Sequence, residues 1–138
     1  MKIAVIDGLG GGLGCQIIEV LKKEFKNAIE ITALGINSQA TFNMIKAGAY
    51  RGATGENAIR ITTREMDVLV GPLGIIIAGA MMGEVTSGIA ETVMNSPAKK
   101  FLLCVKQPHV ELIGADEHPV SVLITQLVAR VRAFMKSD

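Results

Sequence analysis

The chain has 138 residues, a length that predicts a single domain. Apolar residues make up 49% and charged residues 20%, which excludes a disordered chain. Fourteen Lys and Arg against thirteen Asp and Glu leave a formal charge of +1, with four Phe, one Tyr and no Trp. That balance argues against a nucleic-acid partner, a polybasic membrane reader or an aromatic stacking platform.

In chain order, Lys2-Ile3-Ala4-Val5-Ile6 is a short apolar run ending at Asp7-Gly8, which predicts a strand buried on both faces. The same run resembles the start of a secretory leader for only six residues before Asp7 and the glycines interrupt it, so a strand is the better reading. From Gly14 to Lys26 the period becomes helical, with Ile17, Ile18, Leu21 and Phe25 on one face. A second strand is expected over 29–34, ending at Gly35. Ser38 is read as the N-cap of a helix with Phe42, Met44 and Ile45 inside. Gly52 to Asn57 reads as loop, and Ala58 to Ile61 as a short third strand.

Val68-Leu69-Val70 predicts another buried strand, closed by Gly71-Pro72, and an apolar helix is expected from there to Met82. This uncharged stretch is shorter than the ~18–20 residues that span a bilayer and is broken by glycines and a proline, so no membrane partner is expected. A helix over 86–95 follows, with Ile89 and Val93 inward, then strands over 101–105 and 110–113. The last helix starts at His118-Pro119, and Val120, Leu123, Ile124, Leu127, Val128, Val131, Phe134 and Met135 form its apolar stripe. Buried strands alternating with amphipathic helices predict a mostly parallel sheet covered on both faces, an α/β, Rossmann-like three-layer α/β/α domain.

Five of the fifteen glycines fall in Gly8-Leu9-Gly10-Gly11-Gly12-Leu13-Gly14, at the join of the first strand and first helix. Such a join lies at the carboxyl edge of a parallel sheet, where ligands bind. Glycine there lets the backbone approach a pyrophosphate, and the helix start supplies unpaired N–H donors, so free main-chain amides gripping an anion are expected. Asp7 puts a carboxylate beside that site, where it either caps the helix or repels an anion unless a cation bridges them. Asn37 and Ser38, after the second strand, stand where a ribose or phosphate would be held, in place of the acid that usually takes the ribose of NAD.

The spacing Gly8, Gly12, Gly14 fits GxxxGxG, and with Asp67-Val68-Leu69-Val70-Gly71-Pro72-Leu73-Gly74 it resembles the short-chain dehydrogenase/reductase family over about the first 85 residues. The resemblance implies Gly8, Gly12 and Gly14 at the cofactor pyrophosphate and Gly71 to Gly74 near the adenosine ribose. It carries over no catalytic pair: that family's Tyr-x-x-x-Lys follows its fourth strand, whereas Tyr50 precedes it here and has Thr54 four places on. Taken with residues 47–59 and 71–75, the chain also looks like a small bacterial family of uncharacterised Rossmann-type proteins known only as a domain of unknown function.

Gly8, Gly10, Gly11, Gly12, Gly14, Asp7, Asn37, Ser38, Gly71 and Gly74 are thus the expected cofactor-binding residues, with NAD(P) or another nucleotide the expected ligand. Glu56, in the middle loop with Thr54 and Asn57, and Glu84, with Thr86 after the apolar stretch, could serve as acid/base or metal–phosphate groups, but Thr54 and Thr86 as helix caps and Glu56 in a first turn explain them more simply. Cys104, His109, Glu111, Asp116, Glu117 and His118 form a metal-like group, though Cys104 is expected inside a strand and no metal site is assigned. Cys15, at the helix start, invites a lowered thiol pKa or a plain packing role. Two cysteines in no CxxC pair suggest free thiols and a cytoplasmic location. The oily Ile75-Ile76-Ile77 and Met81-Met82, placed in one helix, suggest a homo-oligomer.

Overall fold

A computed structural model describes residues 1–137. Five strands, β1 (Lys2–Asp7), β2 (Glu30–Gly35), β3 (Arg51–Thr54), β4 (Val68–Pro72) and β5 (Lys99–Leu103), alternate with α1 (Gly12–Phe25), α2 (Ser38–Lys46), α3 (Glu56–Thr62), α4 (Ser87–Asn95) and α5 (Val120–Ser137). The strands form one parallel sheet in the order β3-β2-β1-β4-β5. The chain winds outward from β1 in one direction and from β4 in the other. The topology therefore reverses between β1 and β4, and in open parallel sheets ligands bind at the carboxyl ends of the strands beside such a switch.

Alternation along each strand divides the core in two. Ile3, Val5, Val68 and Val70 point to α1, α2 and α5, where Ile17, Ile18, Leu21, Met44 and Val131 are buried. Ala4, Ile6, Leu34 and Leu69 point to α3 and α4, against Ile59, Ile89 and Val93. This is the expected three-layer arrangement. Burying each of these large aliphatic side chains contributes about 1.5–3 kcal/mol. Phe101 on β5 meets Phe134 on α5 edge to face, with ring centroids 6.1 Å apart.

Several sequence expectations are corrected. The third strand is Arg51–Thr54, and Ala58 to Ile61 lies inside α3. Arg51-Gly52-Ala53-Thr54 has no apolar run, and it is a strand because it pairs with Thr32 to Gly35 at the sheet edge. Asn37, not Ser38, caps α2: its side-chain oxygen accepts from Ala40 N–H at 2.9 Å, and Ser38 is the exposed first helical residue. Met44 is buried, but Phe42 and Ile45 face solvent, and Ala40 and Thr41 take the inner positions.

No α-helix spans 73–82. A short 3₁₀ turn, Leu73–Ile76, gives way to a series of turns up to Glu84. Gly74, Gly79 and Gly83 each weaken a helix by about 1 kcal/mol relative to Ala, so apolar composition alone does not propagate one. The fifth strand begins at Lys99, two residues early, because edge pairing of Val68 with Lys99 tolerates charge. Residues 110–113 form no strand and make only one isolated bridge, Gln107 to Val110, in an exposed loop. Cys104 lies just beyond β5 and is half-buried rather than inside a strand. Among the described residues no helix is long and apolar enough to cross a membrane.

Gly35, the last residue of β2, is where α2 crosses the sheet edge. A Cβ there would lie 2.5 Å from Thr41 N and 2.7 Å from Asn37 O, both backbone atoms. Gly35→Ala should therefore destabilise the fold by about 3 kcal/mol in urea unfolding, whereas a side chain accommodated without strain would leave the midpoint unchanged.

Candidate functional site

The carboxyl ends of β1 and β4 flank the topological switch, and the glycine loop 8–11 crosses it into α1. Asp7 is 5% exposed, and its two oxygens take two loop amides: Oδ1 accepts from Gly8 N–H and Oδ2 from Gly14 N–H, both at 2.8 Å. Asp7 thus clamps the end of the strand to the first turn of the helix, which is the capping reading of this residue. Burial raises its pKa above the ordinary carboxylate range; the Gly14 and Gly8 amides pull it down less strongly, and the nearby Glu84 carboxylate pushes it up further.

The amides of the loop divide into two groups. Gly11 N–H donates to Gly8 O at 2.8 Å, and Leu9 N–H donates to Glu84 Oε1 at 3.0 Å. Gly10, Gly12 and Leu13 N–H find no acceptor among the described residues. Free amides at this bend are therefore present on the helix side, while the strand side is taken up internally.

The glycines divide the same way. A Cβ on Gly8 would meet Met81 Sδ at 2.8 Å, on Gly11 the backbone of Ala40 at 3.0 Å, and on Gly14 Met44 Sδ at 2.5 Å. Those three are needed for packing within the chain. Gly10 and Gly12 would meet nothing within 4 Å, and neither has the positive φ that explains the other unobstructed glycines, Gly55, Gly79, Gly83 and Gly114.

Asn37 is fully engaged: besides capping α2, its Nδ2 donates to Leu9 O and to Glu84 Oε1, each at 2.8 Å. Asn43, not singled out from the sequence, donates to Gly10 O at 2.9 Å and ties α2 to the loop. Gly71 is buried against Ile6 and Ile75, and Gly74 is buried against Ala80 and Gln107. Ser38 stands exposed beside Asn37. The structure thus gathers Asp7, the five glycines and Asn37 in one place, and adds Glu84.

Other candidates lie elsewhere. Glu56 accepts from the Thr86 hydroxyl, whose oxygen in turn accepts from Ile89 N–H at 3.0 Å, so the pair completes the cap of α4. Thr54 does not cap α3, where Gly55 stands. Its hydroxyl donates to that of Thr41 at 2.7 Å. Cys104, Glu111, Asp116, Glu117 and His118 do line one cavity of about 440 Å³ beyond β5. Among the described residues, however, no three His, Cys, Asp or Glu side chains are grouped to hold a metal ion. The Cys15 thiol is raised rather than lowered, by partial burial first and then by Glu19 and Asp7, and it packs against the core on the α1 side.

A family model described as "Domain of unknown function (DUF3842)" matches residues 2–136. No curated protein matches the chain in sequence. Among solved structures, apo histidine-tagged saccharopine dehydrogenase (L-Glu forming) from Saccharomyces cerevisiae is similar at a TM-score of 0.50 and 12% identity, over 78% of this chain and 22% of that one. A dodecameric FMN-dependent UbiX-like decarboxylase from Escherichia coli O157:H7 is similar at a TM-score of 0.50 and 15% identity, over 94% of this chain and 75% of that one. At these identities both likenesses show the fold alone.

The raised pKa of Asp7 fixes a sign. A carboxyl whose folded pKa exceeds its unfolded one contributes stability that is fully present below the unfolded value and is lost as pH rises through the folded value. The stability of the wild-type chain relative to Asp7→Asn should therefore increase as pH falls from 7 toward about 4, measured by urea unfolding. A difference that shrinks over that range would mean the two amides, not burial, dominate this carboxylate.

Proposed function

The chain belongs to the DUF3842 family, a domain of unknown function, and on that premise we propose that it is a nucleotide-binding protein with NAD(P) the first ligand to test. The observation that carries this reading is the pairing of three acceptor-free amides, Gly10, Gly12 and Leu13, with open space above Gly10 and Gly12. Two glycines that the fold does not need, next to donors it does not use, fit an anion approaching the backbone at the positive end of α1. Gly8, Gly10, Gly11, Gly12 and Gly14 form the phosphate loop, with Asp7 holding its shape. Asn37 and Ser38 stand toward the ribose side, with Gly71 and Gly74 on the neighbouring β4 turn. The fold likeness to an FMN-dependent enzyme is consistent with such a ligand and carries no reaction with it.

No reaction is assigned, since Glu56 and Glu84 are each already hydrogen-bonded within the chain. The competing reading is a non-catalytic sensor or assembly module that binds a small effector or only itself. It is favoured by the apolar surface around the β3 edge strand, where Phe42 is 59% and Tyr50 77% exposed. Sedimentation as a monomer at micromolar concentration would remove self-association.

A panel of NAD+, NADP+, ADP and FMN in a thermal-shift assay tests the leading reading. A bound nucleotide at 100 times its Kd should add about 2.7 kcal/mol of stability. Gly12→Val should abolish that gain while leaving the unliganded melting temperature nearly unchanged, since its Cβ meets no protein atom within 4 Å. If none of the four raises the melting temperature, the nucleotide reading fails.

A further inference from the structure

The half of the glycine loop nearest β1 is covered by the segment from Gly79 to Glu84. Glu84 Oε1 accepts from Leu9 N–H at 3.0 Å and from Asn37 Nδ2 at 2.8 Å, so a carboxylate sits on a loop amide beside the free ones. A Cβ on Gly8 would come within 2.9 Å of that same oxygen and 2.8 Å of Met81 Sδ, so both side chains lie directly on the loop.

A carboxylate here is costly in charge. Asp7 already occupies two amides of the same loop, and the two acids repel each other across it. The backbone that presents Glu84 is strained as well. Gly79, Met81, Met82 and Gly83 have φ of 87°, 57°, 56° and 91°, which puts four of five consecutive residues in the left-handed region, two of them with side chains. Met82 is 95% exposed, so its side chain anchors nothing. Five backbone hydrogen bonds, from the amides of Gly79, Ala80, Gly83, Glu84 and Val85, hold the segment in this conformation. Ala80 and Met81 pack against the core, but left-handed backbone and like-charge repulsion leave this cover less stable than the core beneath it.

We propose that Glu84 is a built-in competitor for the anion site: its carboxylate takes the Leu9 amide in the free protein, and a phosphate-bearing ligand binds by displacing it and swinging the 79–84 segment away. The inference rests on the nucleotide reading above. Displacement releases two donors, Leu9 N–H and Asn37 Nδ2, to join Gly10, Gly12 and Leu13, and it removes one of the two negative charges facing the ligand. The free protein thus holds its own phosphate loop partly occupied, and ligand affinity is set by the difference between the two anions.

Calorimetric titration of NAD+, NADP+, ADP and FMN into the wild-type chain, Glu84→Ala and Glu84→Gln tests this, with hydrogen exchange of the wild-type chain as a second readout. Loss of one charge-assisted competitor should lower Kd about tenfold in Glu84→Ala, with a smaller gain in Glu84→Gln, whose amide oxygen still accepts from Leu9. Bound nucleotide should also speed exchange of the Gly79, Gly83, Glu84 and Val85 amides in the wild-type chain. Equal or weaker binding by Glu84→Ala, or slower exchange of that segment with ligand, would overturn the competitor role and leave the nucleotide reading standing. Binding by none of the three chains would instead defeat the nucleotide reading, and this inference with it.

Discussion

One buried carboxylate organises the ligand edge of this protein. Asp7, at the end of the central strand, takes the amides of Gly8 and Gly14 and so fixes both ends of the loop between β1 and α1. Its burial is possible only because both oxygens are hydrogen-bonded; unpaired, the charge would cost several kcal/mol. The clamp also sets which amides are left over. With Gly8, Gly11 and Gly14 committed to the chain, the donors of Gly10, Gly12 and Leu13 are left without an acceptor beside the topological switch. The function proposed for the protein therefore follows from how one acid distributes hydrogen bonds over seven residues.

Where the sequence carried a strong period, the fold was legible. Ile3 to Ile6 reads best as a strand buried on both faces and is one, and the stripes of α1 and α5 follow helical spacing closely enough that Ile17, Leu21, Leu127 and Val131 are all buried as expected. Legibility failed where tertiary pairing outweighs local preference. Arg51 to Thr54 is a strand because β2 presents it an edge, not because its residues favour one. Residues 73–84 look helical by apolar content, yet three glycines and two left-handed methionines turn the chain instead. Phe42 and Ile45 seemed core residues by hydrophobicity, but the stripe that packs in α2 runs through Ala40, Thr41 and Met44.

The site was legible in part for a similar reason. Glycine density is a local signal, so the loop and its helix could be placed from sequence. Which glycines serve packing could not, since that depends on Met44, Ala40 and Met81 arriving from elsewhere. Glu84 stands out in the sequence only as an acid/base or metal–phosphate candidate; its contact with Leu9 joins residues 75 positions apart, and nothing around Gly83-Glu84-Val85 signals that contact. The sequence marks Asn37 as a polar group beside the loop, but not that its amide bridges Leu9 to Glu84. The glycine loop is thus less open than its composition suggests and more specifically built, with one half closed by acids and the other left with donors.

The most direct measurement is an amide-resolved NMR titration of the ¹⁵N-labelled chain with ADP. If the leftover donors grip an anion, the largest shifts fall on Gly10, Gly12 and Leu13, with Gly8 and Gly14 held steady by Asp7. Shifts confined to the cavity lined by Cys104, Glu111 and His118, or no shifts at all, would contradict the account.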